Sequence, residues 1–160
     1  MFKLHLLFVC LGNICRSPTA EAVFSHQLKQ RDLQNKFVLD SAGMTNAHAG
    51  RAPDQRSQAA AAVRQYDLSS IKSRPVTEQD FVVFDYIIAM DRSNLRALQK
   101  KQPSGTKAKL RLLMSFSDTA VSEVPDPYYG NQDGFEQVLD YCEAATDGLI
   151  NYLLQHHSWL

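Results

Sequence analysis

The sequence predicts an α/β chain, a three-layer arrangement in which a four-stranded parallel sheet carries helices on both faces. Three observations predict it. Short apolar runs alternate with segments of helical spacing, in the order strand, helix, strand, helix, helix, strand, helix, strand, helix. The first strand is an unbroken apolar run, as a buried strand requires. The chain has 160 residues and is 44% hydrophobic, enough for one domain over residues 1–160 with a real core, and no repeat or linker interrupts it.

Residues 3–9 form the first strand. The run follows a lysine but is too short to span a bilayer, and Arg16 and Glu21 follow closely, so it is neither a signal peptide nor a membrane anchor. Ser17 and Pro18 then open a helix, as a capping residue followed by a proline whose missing N–H costs nothing there. Ala20, Val23, Phe24 and Leu28 recur on one face of it. "KFVLDSAG" is a second strand ending in a turn, and "RAPDQRSQAAAAVRQYDL" passes from loop to helix through an alanine run. "TEQDFVVF" is a short helix opened by Thr77, "DYIIAM" a third strand, and "DRSNLRALQKKQ" a helix capped near Asp91. "AKLRLLMSF" is a fourth strand and "VSEVPDPYYGNQDG" a loop. "FEQVLDYCEAATDGLINYLLQ" is a long closing helix with Phe135, Val138, Leu139, Cys142 and Leu149 on its apolar face.

Charge narrows the function classes. With 17 basic and 17 acidic residues the formal net charge is zero, which gives no electrostatic case for nucleic acid or an anionic membrane. Three cysteines are too few, and odd in number, for a secreted disulfide scaffold, so a reducing cytoplasm is expected. Any handling of anions must come from a local site.

That site is written in "VCLGNICRSPTAEAVF". On a parallel sheet ligands bind beyond the carboxyl ends of the strands, where Cys10 is placed. A thiol must ionise to attack, and a helix N-terminus and a cation both favour the thiolate; the helix near Ser17 and the guanidinium of Arg16 provide them. The intervening loop can curl with several N–H groups pointing inward. Gly12 allows a backbone closed to most residues, and Asn13 tolerates left-handed geometry. Arg16 offers a planar fork for two phosphate oxygens, and Ser17 can donate to the thiolate. There is no GK[ST] and no GxGxxG. Zinc fits poorly, because Cys10 and Cys15 have no second pair and no histidine nearby in sequence. Cys15 is either packing or the partner of Cys10 in a disulfide formed on oxidation, if their Cα atoms lie within ~7 Å.

A thiolate attacking a phosphate monoester leaves an oxygen that needs a proton. Asp126, between two prolines and followed by Tyr128 and Tyr129, is the candidate acid, although Asp is also an ordinary turn residue. Asp91 falls on the same side of the sheet, as an N-cap or an active-site group. His5, His26, His48, His156 and His157 show no ligand or triad spacing and are expected to be structural or solvated. Cys142 belongs to the core.

With "DSAG", "AMDRSNL" and "VPDPYYGN" in the same order, nearly the whole chain resembles the low-molecular-weight protein tyrosine phosphatases. The resemblance implies the phosphotyrosine phosphatase I-like fold and no metal or other cofactor. It implies Cys10 as nucleophile, residues 11–16 (Leu11, Gly12, Asn13, Ile14, Cys15 and Arg16) as the phosphate loop with Arg16 clamping the phosphoryl group, and Ser17 stabilising the thiolate. Asn13 would hold the loop with Ser41 and Asp91. Asp126 would be general acid and then base, Tyr128 and Tyr129 would line the cleft, and Cys15 resembles a second thiol protecting the nucleophile by a reversible disulfide. An apolar branched residue at Ile14 goes with phosphotyrosine, threonine there with phosphoarginine. Two departures stand out. Ala47 occupies a cleft position that is aromatic in many members, and near Ser70 and Ile71 there is no loop-supporting histidine.

The resemblance implies phosphotyrosine-containing proteins as partners and, for a bacterial chain, a tyrosine kinase of surface-polysaccharide export. It leaves the chain a monomer or a weak dimer that buries Tyr128 and Tyr129. Two other functions share the anion loop. An arsenate reductase of the same fold would need a cysteine relay through Cys15 and Cys142, and a non-catalytic phosphotyrosine-binding module would have no use for Asp126.

Overall fold

The computed structural model describes residues 2–160. Four parallel strands stand in the order β2-β1-β3-β4: β1 (Leu4–Cys10), β2 (Phe37–Gly43), β3 (Tyr86–Ala89) and β4 (Lys109–Leu112). The helices are α1 (Arg16–Gln30), α2 (Gln55–Val63), α3 (Asp80–Val83), α4 (Arg92–Lys101) and α5 (Gln132–His156).

β1 lies at the centre because both its faces are apolar. Leu4, Leu6, Phe8 and Cys10 join one core with Phe24 and Leu28 of α1 and Leu139, Leu149 and Leu153 of α5. Leu7 and Val9 join a second core with Ile87, Phe81, Phe84 and Leu98 of α4. Side chains alternate across a strand, so one buried strand feeds both layers. The three layers expected from the sequence are present.

Chain order places the site. β1 is flanked by β2 and β3, with Cys10 paired to Gly43 and Val9 to Ala89. The connections from these strands leave toward opposite faces, which opens a crevice beyond their carboxyl ends. Cys10 ends β1, and Asp91 lies two residues past the end of β3, at the start of α4.

Four local expectations are corrected. α1 begins at Arg16 with Cys15 at its N-cap and no side-chain cap bond, so Ser17 is inside the first turn, its hydroxyl drawn to the nucleophile loop instead. β4 stops at Leu112, and residues 113–116 form a 3-10 turn that buries Leu113 and Met114 under α5. α5 starts at Gln132 rather than Phe135. Thr77 does not cap α3. Its N–H instead donates to Asp80 Oδ2 (2.8 Å), because Asp80 is held in place by Arg74.

Candidate active site

Residues 11–15 wrap the end of β1 and deliver the chain into α1. The loop is held from outside by its carbonyls. Met44 N–H donates to Cys10 O (2.9 Å), Thr45 N–H to Leu11 O (3.0 Å), and Asp54 N–H to Ile14 O (2.8 Å). Ser73 Oγ donates to Gly12 O (3.0 Å), and Thr19 Oγ1 to Cys15 O (2.7 Å). Carbonyls anchored outward are what turn successive N–H groups toward a common hollow, the arrangement that accepts an anion.

The left-handed residue of this loop is Asn13, at φ 57°, not Gly12, whose backbone is not left-handed. This corrects the expectation for Gly12. What Gly12 contributes is room, because a Cβ there would lie 3.0 Å from His48 Cδ2. Gly43 matters more, since its Cβ would lie 2.9 Å from Leu11 O, and only glycine lets the loop rest on the end of β2.

Asn13 is fully buried and ties four groups together. Its Nδ2 donates to Ser17 Oγ (2.8 Å) and Ser41 Oγ (3.0 Å), and its Oδ1 accepts the Arg74 N–H (3.1 Å). A backbone N–H can only donate, which sets the amide's orientation. The Asn13 N–H reaches Cys10 Sγ at 3.3 Å. Ser17 Oγ lies 3.1 Å from the same sulfur and 3.4 Å from Ala42 O. Ser17 already accepts from Asn13, and a thiolate can only accept, so Ser17 donates to Cys10 once the thiol ionises.

Arg16 is 2% exposed. Its Nη1 donates to Asp91 Oδ2 (2.6 Å) and Val124 O (3.1 Å), and its Nη2 lies 3.5 Å from Asp126 Oδ2. Burial works against the charge, but the Cys10 sulfur, Asp91 and Asp126 outweigh it and hold the guanidinium more firmly protonated than usual. Burial likewise pushes the Cys15 thiol up to about 12, against the Ser57 hydroxyl and with the Asp54 charge, so Cys15 is neutral.

The cleft above Cys10 has a volume of about 110 Å³ and is lined by Leu11, Gly12, Ile14, Cys15, Arg16, His48, Asp126, Tyr128 and Tyr129 as well as the nucleophile. Asp126 reaches it from the mouth with its side chain 42% exposed, its Oδ1 accepting the Tyr128 N–H (3.1 Å). Arg56 pins this loop by donating to Tyr128 O (3.0 Å) while paired with Asp54 (2.9 Å) and stacked on Phe135 at 4.6 Å.

Among the residues singled out in the sequence, Cys10, Leu11, Gly12, Ile14, Cys15, Arg16, Asp126, Tyr128 and Tyr129 line one hollow, with Asn13, Ser17, Ser41 and Asp91 beneath it. Ala47 is apart, exposed and outside the cleft lining. His48 takes the wall instead, its ring 6.0 Å from Tyr128, where a structural or solvated histidine with no part in the site is expected. The loop support sought near Ser70 and Ile71 comes from Ser73 and Arg74. Backbone groups and a small hydroxyl do this work, so no residue type announced it. Cys142 is fully buried on α5, where burial pushes its thiol far up, and it is not in the cleft. Among the described residues no cluster could hold a metal ion, and no helix is long and apolar enough to cross a membrane.

Comparison with known proteins agrees with this geometry. The family description "Low molecular weight phosphotyrosine protein phosphatase" matches residues 5–158. A low molecular weight phosphotyrosine protein phosphatase of Sus scrofa is 43% identical over 140 residues, covering 86% of this chain and 87% of that one. A low molecular weight protein-tyrosine-phosphatase of Streptomyces coelicolor is 43% identical over 151 residues, covering 91% of each. The crystal structure of a protein tyrosine phosphatase from Entamoeba histolytica, with Hepes in its active site, superposes with a TM-score of 0.92 at 43% identity, covering 96% of this chain and 99% of that one. A match from the first strand through the last helix, over a loop that aims two donors at one buried sulfur, places this chain in the low molecular weight phosphotyrosine protein phosphatase family.

Proposed function

We propose that the chain hydrolyses phosphotyrosine monoesters in proteins through a phosphocysteine intermediate. The observation that carries it is the meeting of Cys10 Sγ, Arg16 and Asp126 at one cleft, where a buried nucleophile and a half-exposed acid line the space a phosphoryl group would fill.

The Cys10 thiolate, held by the Asn13 N–H and the Ser17 hydroxyl, attacks phosphorus. A sulfur–phosphorus bond forms and the bond to the phenolic oxygen breaks. Asp126 gives that oxygen its proton, so tyrosine leaves neutral. The loop N–H groups and the Arg16 fork receive the equatorial oxygens, whose charge spreads in the transition state. In the second step Asp126, now a carboxylate, takes a proton from water. That water attacks phosphorus, the sulfur–phosphorus bond breaks, and inorganic phosphate and the Cys10 thiolate are regenerated.

Tyr128 and His48 form walls that suit a flat phenyl ring, and Ile14 keeps the floor apolar. These walls favour phosphotyrosine-bearing proteins as substrates; the low, odd cysteine count supports a reducing cytoplasm as the location, and a tyrosine kinase is the partner class that such substrates imply. Arsenate reduction would need Cys142 as a relay, and its depth in the core argues against that route.

The test is phosphate release from phosphotyrosine, phosphoserine and phosphoarginine peptides, with arsenate reduction in parallel, for wild type, Cys10→Ser and Asp126→Ala. Turnover of phosphotyrosine that vanishes with the first variant and falls about 10²–10⁴-fold with the second is expected. Unchanged turnover in Asp126→Ala would remove it from the mechanism.

A further inference from the structure

Glu21 sits on α1, just past the phosphate loop, and the chemistry above does not use it. Its Oε1 is shut away from solvent and has no hydrogen-bond partner among the described residues. A buried polar atom left without a partner is costly and calls for a reason. The Ser41 hydroxyl is the polar group beside it that favours the ionised carboxyl. Ser41 is 1% exposed and accepts from Asn13 Nδ2 at 3.0 Å, yet its own proton meets no acceptor among the described residues. A carboxyl oxygen lacking a donor thus stands beside a hydroxyl lacking an acceptor. On the far side of that hydroxyl is Asn13, which also holds Ser17 and places its N–H on the Cys10 sulfur.

We propose that Glu21 is a positioning residue for the phosphate loop, closing a hydrogen bond with Ser41 when ionised and so fixing Asn13 against the nucleophile. The proposal rests on the phosphate-handling reading of the loop given above.

The surroundings make this bond conditional on a proton. Burial, followed by the Asp40 charge on β2, pushes the Glu21 carboxyl up from 4.5 to about 7, against the Ser41 hydroxyl and Arg74. Arg74 cannot neutralise it fully, because its guanidinium is committed to Asp80 Oδ1 and Oδ2 (3.0 Å each) and Asp40 Oδ2 (3.0 Å). The residue therefore changes charge near neutral pH. When it is protonated, Ser41 loses its stronger acceptor. When it is ionised, a charge-assisted bond fixes Ser41 and, through it, Asn13.

The test measures binding of tungstate, a dianion across the range used, at pH 6, 7 and 8 to wild type, Glu21→Gln, Glu21→Ala and Ser41→Ala, with thermal unfolding of each. In wild type the affinity should rise about two- to tenfold from pH 6 to 8, the span of one net hydrogen bond. Glu21→Gln offers Ser41 only a neutral acceptor, as the protonated carboxyl does, and should bind at every pH as wild type does at pH 6, without the pH step. Glu21→Ala and Ser41→Ala should bind weakly at every pH. A role in stability alone would move the melting temperatures and leave the wild-type step in Glu21→Gln, which would overturn the proposal. So would tight binding by Ser41→Ala with the step intact. If Glu21→Ala does not fold, the contrast between wild type and Glu21→Gln decides. Failure of wild type to bind tungstate at any pH would instead overturn the phosphate-loop reading itself, and this proposal with it.

Discussion

Arg16 Nη1 lies 2.6 Å from Asp91 Oδ2, while Asp91 Oδ1 accepts the Asn94 N–H at 2.7 Å. One carboxylate therefore anchors the phosphate-clamping arginine and caps α4, its two oxygens divided between the tasks. The two readings of Asp91 open from the sequence, helix cap and active-site group, are compatible because a carboxylate has two oxygens.

That division can be separated by substitution. Asn caps a helix about as well as Asp but carries no charge. Asp91→Asn should leave the melting temperature nearly unchanged and lower kcat/KM on the order of tenfold by freeing Arg16. Asp91→Ala should lose activity similarly and also about 1 kcal/mol of stability. Equal activity of wild type and Asp91→Asn would dissociate Asp91 from the clamp.

Loss of Asp126 should depend on the leaving group. A nitrophenolate departs with little help, whereas a tyrosyl phenolate needs its proton. Asp126→Ala should therefore cost less with p-nitrophenyl phosphate than with a phosphotyrosine peptide. Rates on the two substrates check this, and an equal loss on both would argue against general acid catalysis.

Cys15 stays neutral under its burial and is the poorer nucleophile of the two loop thiols. At pH 7 iodoacetamide should alkylate Cys10 well before Cys15, as peptide mapping would show. Peroxide should then convert Cys10 to a sulfenic acid, which condenses with Cys15 to a disulfide and releases water. Wild type should regain activity with a thiol reductant, and Cys15→Ser should not. Equal recovery would exclude the disulfide.

Glu21 also predicts a pH dependence of stability. Its folded value near 7 lies above its ordinary 4.5, so the folded chain holds a proton that the unfolded chain releases between these values. This contribution is fully present below pH 4.5 and is lost as pH rises through 7. The difference corresponds to roughly 3 kcal/mol. Stability of Glu21→Gln relative to wild type should rise across this window in urea titrations at pH 5 and 8. A constant difference would mean that Glu21 keeps its ordinary ionisation.

His48 and Ala47 offer a test of the cleft wall. His48→Ala should raise KM for a phosphotyrosine peptide about threefold or more with kcat unchanged, because it removes contact area and no chemical step. Ala47→Gly should change neither constant.

The parallel sheet, the two-sided core and the strand–loop–helix seat of Cys10 were all legible in the sequence. Each follows from local pattern: apolar runs, helical spacing, and a cysteine and an arginine bracketing a short polar loop. Asp126 was legible as a candidate because a proline-flanked acid beside two tyrosines is a chemical pattern. Ser73, Arg74 and His48 were not. Ser73 and the Arg74 backbone act through groups that any similar residue supplies, and His48 reaches the cleft through a turn whose path its own residues do not dictate. Asn13 is expected to tolerate a left-handed backbone and takes it, whereas Gly12 does not use the freedom that glycine allows and supplies room for His48 instead.

The order of elements and the reactive set follow from residue type and spacing along the chain. Three-dimensional packing settles which donors meet Cys10, which oxygen of Asp91 meets Arg16, and that Glu21 Oε1 has no partner among the described residues. Those depend on distances of a few ångströms between residues far apart in the chain, and such distances exist only once both cores have packed around β1.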